Sequence, residues 1–141
     1  MIVLPVVVFA VVAGLIVVLR KRFVAVRVDG SSMEPALRSG DRVLVRRVRL
    51  ARVRRGAVVV LAPPPDLPPD LEDPPWLIKR AVALPGDVVP AAVTAVSGEV
   101  VPAGRFVVLG DNTRSSYDSR RAGYFAADAL LGVVVARLKN S

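Results

Sequence analysis

The first nineteen residues, MIVLPVVVFAVVAGLIVVL, contain no charged side chain and are followed directly by the basic triplet RKR. Nineteen residues at about 1.5 Å each give roughly 28 Å of helix, close to the hydrocarbon thickness of a bilayer. The alternative is a cleaved signal peptide, which begins with positive charge and has a shorter apolar core before a small-residue cleavage site. The uncharged start and the basic stop favour an uncleaved membrane anchor over residues 1–19.

Residues 20–141 have the size of one domain and carry all of the chain's charge, twenty basic against twelve acidic side chains. Short valine-rich runs recur there, each bounded by Gly, Pro, Asp or Ser, a pattern typical of strands separated by turns. Helical periodicity is weak, apart from one helical turn expected near Ser32. We predict a mostly β domain, a small antiparallel barrel or sandwich, preceded by one transmembrane helix. The predicted strands are FVAVRVDG, DRVLVRRVRL, GAVVVLA, WLIKRAVAL, GRFVVLG and LGVVVARL.

The segment PPPDLPPDLEDPP, residues 63–75, cannot form a strand. Seven of its residues are proline, and its four charged residues are all acidic. Proline removes the N–H groups that a sheet needs, so we expect an extended, exposed loop between two strands. A linker between two domains is the alternative, but the pieces on either side are too small to fold alone.

A basic run, RRVRLARVRR at residues 46–55, contains six arginines. Such a run could bind nucleic acid or anionic lipid. It lacks the interleaved aromatic residues of many nucleic-acid sites, and it belongs to a chain with a membrane anchor. We therefore expect a lipid-facing or solvated basic strand, with the lipid bilayer and not nucleic acid as a partner.

The stretch GSSMEPALRSGD, residues 30–41, offers two adjacent serines in a chain without histidine or cysteine. Lack of cysteine excludes disulfides and thiolate metal sites, and a serine nucleophile here needs a base other than histidine. Lysine can serve if burial lowers its pKa from about 10.4. Lys21 lies at the membrane boundary and Lys139 near the C-terminus, whereas Lys79 lies within apolar WLIKRAVAL. Alone, Lys79 would be read as a solvent-facing residue of an edge strand; only the serine stretch makes it a candidate base.

Three ordered segments, GSSMEPALRSGDRVLV, IKRAVALPGD and GDNTRSSYDSR, resemble successive sequence boxes of the type I signal peptidase family. The family consists of membrane-anchored serine proteases with a Ser–Lys dyad. The resemblance implies that Ser32 is the nucleophile and Lys79 the general base, with no metal and no cofactor. It implies that the substrates are preproteins, cleaved at small-residue, Ala-X-Ala-like sites that bind as an added strand.

The third box implies several supporting residues. In the family its serine, matched by Ser116, donates or accepts a hydrogen bond that orients the lysine amine. Asp118 and Arg120 match an ion pair, and two residues apart on an extended segment they would face the same way. Asp111 is placed to pair with an arginine such as Arg80, which follows the base directly.

Two features differ from some members of the family. Gly30 stands where those members have an oxyanion-stabilising hydroxyl, so we expect the oxyanion to be bound by backbone N–H groups, chiefly that of Ser32. The segment between Lys79 and Gly110 is short, so we expect a minimal version without the large accessory β-domain.

The resemblance also implies a location, a single-pass protein of the plasma membrane with the catalytic domain on the outer face. The RKR triplet after the anchor favours the opposite orientation by the positive-inside tendency. We give more weight to the resemblance, because an inward-facing site would not meet translocated signal peptides.

Three other functions remain open from the sequence. A self-cleaving transcriptional repressor protease uses the same Ser–Lys pair, but this chain shows no DNA-binding module and has an anchor. A membrane-tethered basic protein could bind lipid through residues 46–55. A catalytically inactive relative is disfavoured by the presence of Ser32, Lys79 and Ser116.

Overall fold

The computed structural model of the chain describes residues 1–67, 75–114 and 116–138. Within these residues, two α-helices and seven strands follow one another in the order α1, β1 to β5, α2, β6 and β7. The helices are α1 (Val3–Arg22) and α2 (Ser119–Ala122). The strands are β1 (Phe23–Arg27), β2 (Arg42–Arg47), β3 (Val58–Leu61), β4 (Leu77–Ala83), β5 (Arg105–Leu109), β6 (Phe125–Ala126) and β7 (Leu130–Leu138).

Helix α1 covers the apolar run from Val3 onward and continues through the basic triplet to Arg22, beyond the predicted end of the anchor at residue 19. Cations in the last turn interact favourably with the carbonyl end of a helix, which explains why the helix includes them. No residue of α1 is buried, and by length and composition the helix can cross a membrane. Exposing so large an apolar surface to water is unfavourable, so its character fits a membrane anchor.

All seven strands form one curled, antiparallel sheet in the order β1-β2-β7-β3-β4-β5-β6. The predicted mostly β, antiparallel fold is confirmed. Five of the six predicted strand segments contain a whole strand, and the sixth, LGVVVARL, contains all of β7 except its first residue, Leu130. Strand β6 was not predicted, because two residues are too few to show alternation.

Strand β4 is fixed on both faces. Leu77 and Ala81 belong to one cluster of buried side chains, Ile78 to a second and Ala83 to a third. Slippage by one residue would move each side chain to the wrong face, so packing on both sides fixes the register of the strand. The side chains that β4 presents to the functional site are therefore held at defined positions.

Residues 84–104, which follow β4, fold back on the sheet. They contain turns and a single isolated bridge between Val88 and Val100. Val89, Val93 and Val101 pack against residues of β4 and β5. This segment therefore shares a hydrophobic core with the sheet.

The proline-rich segment is described only in part. Residues 63–67 lie outside strands and helices, in agreement with the predicted loop. Residues 68–74 lie outside the described part of the chain, and their predicted extended, exposed conformation stays a prediction.

Candidate active site

The segment after β1 forms the single helical turn that was predicted near Ser32. The Glu34 N–H donates to the Ser31 carbonyl at 3.1 Å, and the Leu37 N–H donates to the Met33 carbonyl at 2.9 Å. Met33 and Leu37 are buried in the core, which anchors the turn from below. Ser32, directly before Met33, stays partly exposed at the surface of a cleft.

Lys79 reaches this serine from β4. Its Nζ donates to Ser32 Oγ at 2.7 Å, and only 3% of its surface is exposed. Burial lowers the pKa of Lys79 to about 8, an effect that Asp118 partly opposes and Arg120 reinforces. The alternative of a solvent-facing lysine on an edge strand is wrong, since β4 lies between β3 and β5.

The two side chains line an open cleft with a volume of about 440 Å³. Its walls come from the turn around Ser32, the start of β4 and the GDNTRSSYDSR segment. Gly30 lies on the wall with φ +88°, a left-handed conformation that glycine adopts without strain. Its N–H donates to Ser39 Oγ at 3.2 Å. Gly30 thus shapes the cleft through its backbone.

A buried carboxylate, that of Asp118, holds the side chain of Ser116, which lines the cleft. It is fully buried and accepts hydrogen bonds from Gly110 N and Ser116 Oγ, each at 2.8 Å. Arg120 donates to it from Nε at 3.0 Å and from Nη2 at 2.6 Å. Burial alone would raise the pKa of Asp118, but the hydrogen bonds from Arg120, Gly110 and Ser116 lower it overall. The carboxylate is therefore held in its charged form and connects three parts of the third box.

Asp118 and Arg120 form the predicted ion pair, but the prediction that they lie on one extended segment is wrong. The two residues do not lie on one extended segment: Asp118 is the N-cap of α2 and also accepts from the Arg120 N–H at 3.0 Å. Capping of a short helix by a carboxylate is favourable because it satisfies free N–H groups. The helical turn then brings the guanidinium of Arg120 back to Asp118, the residue that caps the helix.

Ser116 lies in the cleft with Lys79, and its hydroxyl donates to Asp118. This bond fixes the hydroxyl through the same carboxylate that influences the pKa of the lysine. A direct hydrogen bond between Ser116 and the amine stays a prediction.

Arg80, the neighbour of Lys79, forms a bidentate pair with Asp111. Nε donates to Oδ1 at 2.8 Å and Nη2 to Oδ2 at 2.7 Å, while Nη1 donates to the Gly56 carbonyl at 2.8 Å. Hydrogen bonding to Asp111 raises the pKa of Arg80. The predicted partners are thus in contact, and this pair links β4 to the start of the third box.

Two residues of the third box were not singled out from the sequence. Asn112 holds the serine turn from above, because its N–H donates to the Ser32 carbonyl at 2.8 Å and its Nδ2 to the Ser31 carbonyl at 3.0 Å. A Cβ added at Gly110 would lie 2.8 Å from the Ser32 carbonyl oxygen and 2.6 Å from Ser116 Cβ. The glycine lets the third box pack directly against the turn. The GDNTRSSYDSR motif was the signal in the sequence that could have drawn attention to Asn112 and Gly110. Their contacts could not be predicted, because Ser31 and Ser32 are distant in the sequence.

Within the described residues, no group of three His, Cys, Asp or Glu side chains is arranged to hold a metal ion. The polar groups of the cleft include hydroxyls, an amine, guanidinium groups and one carboxylate, that of Asp29. Within the cleft, the Ser32 hydroxyl lies in hydrogen-bond contact with the Lys79 amine.

Comparison with known proteins agrees with the geometry. A family model described as "Signal peptidase, peptidase S26" matches residues 2–97 and 90–139. The "Probable signal peptidase I-2" of Synechocystis sp. is 32% identical over 128 residues, which cover 74% of this chain and 58% of that protein. The "Signal peptidase I" of Leptolyngbya laminosa is 32% identical over 135 residues, covering 78% of this chain and 66% of its own length. This chain therefore spans less than two thirds of either relative, and it belongs to the peptidase S26 family of signal peptidases.

Proposed function

We propose that the protein is a serine endopeptidase that cleaves signal peptides from preproteins, with Ser32 as nucleophile and Lys79 as general base. The observation that carries the proposal is the 2.7 Å contact between Lys79 Nζ and Ser32 Oγ, made by a buried amine whose pKa is lowered to about 8. A lysine in this environment is neutral in a useful fraction of molecules near physiological pH. The names of its relatives, signal peptidases, supply the substrate class.

The proposed reaction is acyl transfer in two steps. Ser32 Oγ attacks the scissile carbonyl, neutral Lys79 takes the hydroxyl proton, and the backbone N–H of Ser32 donates to the developing oxyanion. Lys79 then gives the proton to the leaving amine, which releases the mature protein. Water attacks the acyl-enzyme with Lys79 again as the base, which releases the signal peptide and restores Ser32.

The walls of the cleft suit an extended peptide with small side chains. Val28 and Ile78 contribute apolar surface to the lining of the cleft, which is open to solvent. An extended segment can bind there by backbone hydrogen bonds, with small side chains such as alanine entering shallow apolar pockets. This is the basis for proposing cleavage at Ala-X-Ala-like sites.

The proposed roles of the remaining residues follow from their contacts. Ser116 and Asp118 form the polar surroundings of the Lys79 amine, and Arg120 neutralises the negative charge of the buried Asp118 carboxylate. Asp111 and Arg80 hold the third box against β4. These residues act through Ser32 and Lys79 and not on the substrate itself.

Cleavage of a short peptide that spans a signal-peptide cleavage site tests the function. Purified full-length protein in detergent should cleave it after the small residue, and Ser32→Ala should lose turnover by several orders of magnitude while keeping its thermal unfolding temperature. Ser31→Ala is the matched control and should retain most of the activity. Absence of cleavage by the wild-type protein would favour an inactive relative or a lipid-binding protein.

We further propose that α1 is a single-pass anchor in the plasma membrane, with residues 20–141 forming one peptidase domain on the outer face. Only this orientation places the cleft where translocated preproteins emerge. Ser97, exposed in the 84–104 segment, offers a test, since the chain contains no cysteine. In intact cells without an outer barrier, Ser97→Cys should react with a membrane-impermeant maleimide. Labelling only after permeabilisation would place the domain inside, as the basic triplet after the anchor would predict.

A further inference from the structure

A second concave surface lies at the end of α1, away from Ser32 and Lys79. It is an open groove of about 770 Å³ that has no residue in common with the catalytic cleft. We refer to it as the arginine groove because arginines make up most of its lining. The residues lining it are Arg22, Arg46, Arg47, Val48, Arg49, Ala51 and Arg52.

The fold brings these arginines together from three elements. Arg22 is the last residue of α1, and the next residue, Phe23, pairs with Arg46 across β1 and β2. After β2 the chain makes a short helical turn over Leu50–Arg52, whose Leu50 is buried in the core. This turn returns Arg52 toward the end of β2.

A glycine allows the end of β2 to lie close to β7. At Gly132 an added Cβ would lie 2.7 Å from the carbonyl carbon of Arg46 and 3.0 Å from the Cα of Arg47. The two arginines are therefore held on a rigid sheet and not on a mobile loop. A preorganised position lowers the entropy lost when such side chains bind a ligand.

The positive charge of the groove is not neutralised within the described part of the chain. The ion pairs found there use Arg27, Arg80, Arg120 and Arg137, none of which lines the groove. Like charges at close range repel one another, and an anion between them relieves that repulsion. Guanidinium groups bind phosphate oxygens in bidentate fashion, so a phosphate is the anion that such a set fits best.

The position of the groove at the end of α1 favours a lipid headgroup over a nucleic acid as the source of the phosphate. If α1 spans a bilayer, Arg22 at its end lies at the level of the lipid headgroups. The lining contains no aromatic side chain on which a nucleic-acid base could stack. We propose that the arginine groove binds the phosphate headgroup of an anionic phospholipid and so fixes the orientation of the catalytic domain on the membrane.

Direct lipid binding tests this without reference to peptidase activity. The full-length chain in a non-ionic detergent is titrated with short-chain phosphatidylglycerol, short-chain phosphatidylcholine, inorganic phosphate and a single-stranded DNA oligonucleotide, with calorimetry as the readout. The groove variant is Arg49→Gln/Arg52→Gln. Its matched control, Arg54→Gln/Arg55→Gln, loses the same charge from the same basic run, at residues outside the groove. All four side chains are exposed, and unchanged thermal unfolding shows that the variants fold.

Phosphatidylglycerol should bind more tightly than any other probe. The groove variant should weaken that binding by roughly thirtyfold, and the control by less than about threefold, since a contacting arginine contributes more than a distant one. Equal weakening by both variants would show diffuse attraction and overturn the proposal. So would binding of inorganic phosphate or phosphatidylcholine as tightly as phosphatidylglycerol. Tighter binding of the oligonucleotide, lost in the groove variant, would assign the groove to nucleic acid. None of these outcomes bears on cleavage by Ser32 and Lys79.

Discussion

The Ser32–Lys79 cleft and the arginine groove hold basic side chains in opposite environments, the lysine buried and the arginines of the groove exposed to solvent. In the cleft, the lysine is almost fully buried and its pKa is lowered to about 8. In the groove, the arginines are exposed at the surface. Desolvation disfavours a charged amine, whereas an exposed guanidinium keeps its charge at any physiological pH.

The difference teaches that the role of a cation depends on its surroundings as well as on the kind of basic side chain that carries it. A lysine without its water can accept a proton and act as a base. An arginine in water can bind only what carries negative charge. Both regions are basic in the sequence, and a chemical role requires burial together with a group, such as the lysine amine, that can lose its proton.

Replacement of the buried cation gives the largest expected effect. Lys79→Met keeps an unbranched apolar stem but has no base, so turnover should fall by roughly a thousandfold or more. The same change removes a desolvated amine, so the free energy of unfolding should stay equal or increase. Peptide cleavage and urea unfolding measure the two effects.

The control for this replacement is Lys79→Arg, which restores a charged group that cannot lose its proton at ordinary pH. It should be as inactive as Lys79→Met and less stable, because the larger cation is buried. Near-normal activity of either variant would mean that Lys79 is not the base and that the contrast with the groove is only one of burial.

The pH dependence of cleavage sharpens the comparison and should be smaller. In the proposed mechanism the neutral form of Lys79 is the active one, and its pKa of about 8 lies below the ordinary value. The rate constant for acylation should therefore rise about tenfold from pH 7 to pH 9 and then level off. Single-turnover kinetics over this range measure it. A rate that is flat from weakly acidic pH upward would point to a carboxylate base.

The fold, and the pairing of Ser32 with Lys79, could be predicted from the sequence to a large extent, while the catalytic roles of the two residues stay a prediction. Strand segments were visible because valine-rich runs were separated by Gly, Pro and Asp. The motifs around Ser32 and Lys79 carried their resemblance within a few neighbouring residues. Such local signals can be recognised without knowledge of the three-dimensional structure.

Features that depend on distant contacts were not predictable. The capping of α2 by Asp118 needs the conformation of the chain at that residue, and periodicity gives no information on it. The arginine groove needs α1, β2 and a short turn to meet, although its arginines were recognised as a basic run. The burial of Lys79 follows from its position inside the sheet, which the strand sequence alone left undecided.

The contacts of Asn112 are another such feature, and they give the smallest predicted effect. Its side chain donates to the Ser31 carbonyl, while its backbone N–H independently holds Ser32. Asn112→Ala removes the bond to Ser31 and the exposed bond that Asn112 Oδ1 accepts from the Arg114 N–H at 3.2 Å, but it leaves the backbone bond to Ser32. We expect kcat to fall about fivefold, mainly through loss of the partly buried bond to Ser31. KM and the apparent pKa of the pH profile should stay unchanged, because the burial of Lys79 is not altered.

Asn112→Asp is the matched variant, since it keeps the oxygen that accepts from the Arg114 N–H but loses the amide donor. It should be impaired at least as much as Asn112→Ala. Full activity of the aspartate variant would assign the role of Asn112 to the Arg114 contact and leave the serine turn positioned by the backbone alone.

The bidentate pair between Arg80 and Asp111 has a consequence for how the chain tolerates change in length. Lys79 and Arg80 are adjacent on β4 and therefore point to opposite faces. A one-residue shift of the strand would bring either Ile78 or Arg80 to the place of Lys79, the proposed base, and neither side chain can act as a base there. Asp111 and the Gly56 carbonyl hold Arg80 on its own side and so penalise that shift. Length variation is accordingly expected in the turns of residues 84–104, where the phase of the strand is not affected.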